Sequence, residues 1–106
     1  MKKINNLDSY EKDISKNLSF LFKEAHSFKN SFKYKKAINI YSEIISLDRN
    51  LLPAYLNLSE LYNKIGEYEK SRNLCNAYNL INYKSDKIQC NLGNAYYGLR
   101  NFEEAI

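Results

Sequence analysis

Residues 18–51 read LSFLFKEAHSFKNSFKYKKAINIYSEIISLDRNL, residues 52–85 read LPAYLNLSELYNKIGEYEKSRNLCNAYNLINYKS, and residues 86–106 read DKIQCNLGNAYYGLRNFEEAI. Laid one above another, the segments keep a single register with a period of 34 and no gap. The fourth position holds Leu21, Tyr55 and Gln89, and the eleventh holds Phe28, Tyr62 and Tyr96. The eighth holds Ala25, Ser59 and Gly93, all small, and the twentieth holds Ala37, Ser71 and Ala105. The seventeenth is aromatic throughout, with Tyr34, Tyr68 and Phe102. Positions four, seven, eight and eleven follow the i, i+3, i+4, i+7 spacing of a helical stripe. A second stripe reads Tyr34, Ala37, Tyr41, Ile44 in one unit and Tyr68, Ser71, Cys75, Tyr78 in the next. Gly66 falls between the stripes, where a helix end favours positive φ. Pro53 falls at a helix start, where its missing N–H costs nothing. Each unit is therefore predicted to be two antiparallel amphipathic helices. The small residues let the two axes approach, and the aromatics fill the space beside them. One such hairpin cannot bury its own apolar face, so neighbours must stack.

Composition agrees. Of 106 residues, 44% are hydrophobic and 26% charged, with three glycines and one proline. That excludes a disordered chain and leaves too few turn-formers for a many-stranded β protein. Two cysteines cannot build a disulfide framework, and one histidine leaves no room for a His-based metal site. Cys75 falls on the buried stripe and reads as a small core hydrophobe, while Cys90 falls on the other face; no disulfide joins them in this reading. There is no phosphate-binding Gly loop, nucleophile elbow or HExxH, so the chain is read as neither an enzyme nor a cofactor or metal binder. The net charge is +4, with the basic excess concentrated in 18–51. Only three arginines occur, far apart at 49, 72 and 100, which argues against a nucleic-acid partner. The two N-terminal lysines are followed by no apolar signal region, and no run approaches a membrane span. A soluble, cytoplasmic protein with no membrane partner is expected.

The segments LGNAYY at 92–97 and NFEEAI at 101–106, KYKKAINIYSEIISLD at 33–48 and LxxLYxxxGxYxxS from Leu58 to Ser71 resemble the tetratricopeptide repeat (TPR) family. The resemblance implies an all-α fold, a right-handed superhelical solenoid of α-α hairpins. It divides the chain into an N-terminal, partly helical extension (1–17), a first repeat (18–51), a second (52–85) and an incomplete third (86–106). Four positions depart from the family pattern. Glu24 stands where Leu is usual, Asn79 where an apolar residue is expected and Gln89 where a bulky one is, and the family's proline is replaced by Arg49 and Tyr83. Because the third repeat stops early in its second helix, the chain reads as an N-terminal fragment of a longer protein. Residues from about 99 onward are expected to fray, and the uncapped helix to promote self-association.

In this family the first helix of each pair lines the concave side. The positions carried over are Phe22, Lys23, His26 and Lys29, then Leu56, Asn57, Glu60 and Lys64, then Lys87, Asn91 and Asn94. Asparagine amides offer both a donor and an acceptor, so Asn57, Asn91 and Asn94 suit an extended peptide backbone. The cations favour an acidic segment. Of the clamp with which some members grip chaperone tails, Asn57 and Lys87 match, but Phe22, His26 and Asn91 do not. RNA-reading relatives prefer a period of 35, against the 34 here. The expected function is a non-catalytic scaffold for protein–protein interaction, binding a peptide or protein segment in the concave groove. The alternative is the docking or regulatory arm of a larger enzyme whose catalytic part lies beyond residue 106.

Overall fold

A computed structural model describes residues 2–83 and 85–105, with side chains described for 16–83 and 85–104. The two stripes of each unit form separate helices. In order these are α1 (Lys2–Asn30), α2 (Tyr34–Leu47), α3 (Leu52–Lys64), α4 (Tyr68–Ile81) and α5 (Asp86–Ala105). No strand occurs among the described residues. Helix α1 packs on α2 and α3 on α4, each as an antiparallel hairpin across a short turn. Between hairpins, α3 packs on α2, and α5 lies against both α3 and α4. The result is an all-α helical solenoid measuring 63 × 31 × 19 Å.

The small residues sit where the helices approach most closely. Ala25 and Ala37 are fully buried between α1 and α2, and Ser59 and Ser71 between α3 and α4. The two serines resolve the cost of buried hydroxyls locally: Ser71 Oγ donates to the Ser59 carbonyl at 3.2 Å, and Ser59 Oγ to the Leu56 carbonyl at the same distance. The main core gathers Ile40, Tyr41, Ile44, Leu58 and Leu61 around the alanines. A second cluster holds Tyr55, Cys75, Tyr78 and Ile88. Ile45 and Leu74 pack against both clusters and join them into one core.

Both turns inside the hairpins use one capping motif. The Lys33 N–H donates to the Phe28 carbonyl at 2.9 Å and the Phe32 N–H to Lys29 at 3.1 Å; the Glu67 N–H donates to Tyr62 at 2.8 Å and the Gly66 N–H to Asn63 at 3.2 Å. These crossed bonds satisfy the carbonyls orphaned at the ends of α1 and α3. Gly66 is left-handed, φ +82°, as its place between the stripes predicted.

Three expectations need revision. Helix α5 continues through residues 99–105 where the repeat register calls for a turn. Arg100 stands where Gly66 and Phe32 turn the chain, and on the extended helix it makes an exposed i, i+4 pair with Glu104 at 3.1 Å. Tyr62 is half-buried against the main core, but Tyr96, its counterpart, is 51% exposed and Gly93 is exposed too. No described helix packs on that face of α5. The misfit residues Asn79 and Gln89, finally, are each other's partners: Gln89 Nε2 donates to Asn79 Oδ1 at 3.1 Å.

Candidate functional site

The helical period puts every third or fourth residue of α1, α3 and α5 on one side of the molecule, where α3 packs against α5 and α1 reaches α3 through the Lys29 side chain. The predicted residues divide into three groups along it.

At the α1 end, Phe22 stacks on His26, with ring centroids 6.1 Å apart, and both rings meet Tyr41 edge-on. Tyr41 comes from α2, outside the residues read as groove-lining. Its hydroxyl lies 2.7 Å from His26 Nδ1. Burial, helped by the negative charge of Glu60, pushes the Tyr41 phenol up to about 12. The phenol therefore stays protonated at neutral pH, and which partner donates across the contact depends on the imidazole tautomer. The sequence signal for this contact was a tyrosine, not a leucine, on a fully buried stripe: a buried phenol needs a partner.

In the middle, Lys29 Nζ donates to Asn57 Oδ1 at 2.9 Å and lies 3.8 Å from Glu60. Lys64 is also 3.8 Å from Glu60, and its ammonium sits 5.8 Å from the Tyr34 ring centre. Asn57 Nδ2 turns back to the Pro53 carbonyl at 2.8 Å. These residues form a charged bar that ties α1 to α3. Lys23 and Lys87 have no carboxylate within 4 Å among the described residues.

Toward α5, Leu56, Glu60, Lys87, Cys90 and Asn91 line a cavity of about 320 Å³. Asn91 is anchored: its Nδ2 donates to Ser59 Oγ at 2.8 Å and to the Leu56 carbonyl at 3.2 Å. Asn94 belongs to a separate cavity of about 510 Å³, with Asn63, Tyr68 and Tyr97. Asn63 Nδ2 donates to the Asn91 carbonyl at 3.0 Å, while its buried Oδ1 has no partner. Asn91 thus spends its amide donor on joining α5 to α3, Asn57 joins α1 to α3 through its oxygen and keeps its donor within α3, and Asn94 is the exposed one. Both cysteines are free thiols. Cys90 is exposed; Cys75 is fully buried, and burial pushes its thiol up.

A wall of side-by-side first helices, backed by second helices and carrying polar groups around apolar hollows, defines a helical-repeat interaction module. The tetratricopeptide repeat profile matches at residues 18–51, 52–82 and 86–106, and the chain belongs to that family. No curated protein matches it. Repeats of this family generally mediate protein–protein interaction and are generally non-catalytic. No described helix is long and apolar enough to cross a membrane.

Proposed function

We propose that the chain is a non-catalytic scaffold that holds an extended peptide or protein segment against the wall of α1, α3 and α5. The observation that carries this reading is the cavity between α3 and α5. It sets an apolar floor, Leu56, beside a carboxylate, an ammonium and an amide, which is the mixture a peptide with its own main-chain dipoles requires. Acidic preference rests on Lys23 and Lys87, because Glu60 partly neutralises Lys29 and Lys64. The exposed face of α5, with Tyr96 and Phe102, favours self-association.

The test uses peptides selected from a random library on the whole chain. Lys23→Glu and Lys87→Glu together should weaken acidic inner-wall peptides by about tenfold, the loss of one strong contact, with the Tm unchanged. Affinity that ignores both reversals would refute the assignment.

A further inference from the structure

The turn between α1 and α2 contains a residue that the fold does not require. Its capping motif needs a left-handed residue, and the matching turn supplies Gly66, φ +82°. Here the position is Phe32, φ +60°. A bulky side chain in this region clashes with its own backbone, a strain that glycine avoids. Phe32 does not recover the cost by burial, since it is 78% exposed. Its ring meets the edge of Tyr34, centroids 6.1 Å apart. The structure thus holds the Phe32 ring in solvent, in a strained backbone conformation, against a Tyr34 that is half-buried on the main core.

The surroundings of the pair are basic. Lys33, Lys35 and Lys36 follow in the chain, and Lys70 comes from the start of α4. None of these four has a carboxylate within 4 Å among the described residues. Lys36 lies 5.4 Å from the centre of the Phe28 ring. The inner-wall lysines 29 and 64, by contrast, share Glu60. Two hollows flank Lys35. One, of about 310 Å³, is formed by the turn itself, Phe32 to Lys36. The other, of about 350 Å³, lies between α2 and the second turn and is floored by Ile38, Tyr62 and Ile65.

We propose that this edge is a second docking surface, separate from the inner wall, for an acidic peptide segment that carries an apolar anchor. The lysines supply charge complementarity to its carboxylates. The aromatic pair and the Ile38–Ile65 hollow receive apolar side chains on either side of Lys35. A lipid bilayer fits less well, because a flat surface would meet the projecting Phe32 and leave the second hollow unused. A nucleic-acid strand fits less well because the cations are lysines without a single arginine, whereas Glu67 in that hollow repels phosphate and carboxylate alike and leaves the hollow to an apolar side chain.

Phage-displayed random peptides selected on the whole chain provide the test, with affinities read by fluorescence anisotropy. A class rich in Asp and Glu around an aromatic or aliphatic residue is expected. Phe32→Gly, and separately Lys35→Glu with Lys36→Glu, should each weaken that class by about tenfold. Lys23→Glu with Lys87→Glu should leave it unmoved. Phe32→Gly should at the same time keep or raise the Tm, because it relieves the left-handed strain. A falling Tm would assign Phe32 a structural role and overturn the proposal. So would a peptide pool indifferent to the edge variants, even if it responds to the inner-wall ones; that outcome leaves the inner-wall reading standing. Edge-dependent binding of phosphatidylserine vesicles or of poly-uridylate, with no edge-dependent peptide, also overturns it.

Discussion

Gly93 and Gly98 lie on the same helix and respond oppositely to the same added methyl group. A Cβ at Gly93 meets nothing within 4 Å, whereas a Cβ at Gly98 overlaps the Tyr68 ring. Gly93→Ala should therefore stabilise the chain by about 0.5–1 kcal/mol, the helix-propensity difference. Gly98→Ala should destabilise it by about 1–3 kcal/mol, because Tyr68 must leave its seat on α5. Urea titration of the two variants checks the opposite signs. Gly93 stands at the position that Ala25 and Ser59 fill as buried spacers, so its sequence register alone suggested the same role. That register describes a position between two helices, and here one of the two is not packed against it. Asn79 and Gln89 were similarly readable as misfits but not as a pair. Which residue of α4 meets which of α5 is a matter of tertiary contact, and at the preceding junction Ile45 packs on the cluster around Tyr55 instead. Asn79→Ala should cost about 1 kcal/mol by stranding Gln89. Replacing both with Ile and Leu should restore most of it, since removing both partners leaves no polar group unpaired.

Helix ends and spacings were the most legible feature, because the period encodes them repeatedly. Pro53, Gly66 and the paired stripes placed α2, α3 and α4 directly. The continuation of α5 was not legible, because the repeat pattern calls for a turn near Arg100 while the local sequence contains no helix breaker there. The candidate wall was legible as a set of residues but not as a network. Whether Lys29 faces a ligand or Glu60 depends on rotamers that spacing cannot fix. The burial of Tyr41 between α2 and α1 gives an element-level test. Tyr41 titrates near pH 10 when unfolded and near pH 12 when folded. The folded state therefore holds the phenolic proton more tightly. This stabilisation is complete below pH 10 and disappears as pH rises through 12, a loss of about 2–3 kcal/mol. The Tm should fall across that window, and Tyr41→Phe should flatten the fall. An equally steep decline in the variant would place the alkaline sensitivity elsewhere.

For the whole molecule, the shared contacts of Ile45 and Leu74 predict one cooperative unfolding unit, not two. Leu61→Ala in the main core and Ile88→Ala in the second cluster should each cost about 2–5 kcal/mol. Each should shift a single transition monitored by both tyrosine fluorescence and helical circular dichroism. Two separated transitions in either variant would show that the hairpins melt independently. The exposed α5 face predicts sedimentation that depends on concentration, and Phe102→Ser with Tyr96→Ser should remove the dependence.

Occupancy of the inner wall can be read at one atom. Cys90 Sγ lies in the cavity between α3 and α5, and Cys75 is buried with a raised pKa, so alkylation of the native chain reports Cys90. Binding of a library-selected peptide that depends on Lys87 should slow that alkylation by about tenfold. An unchanged rate under saturating peptide would contradict the claim that the inner wall is where this solenoid holds its partner.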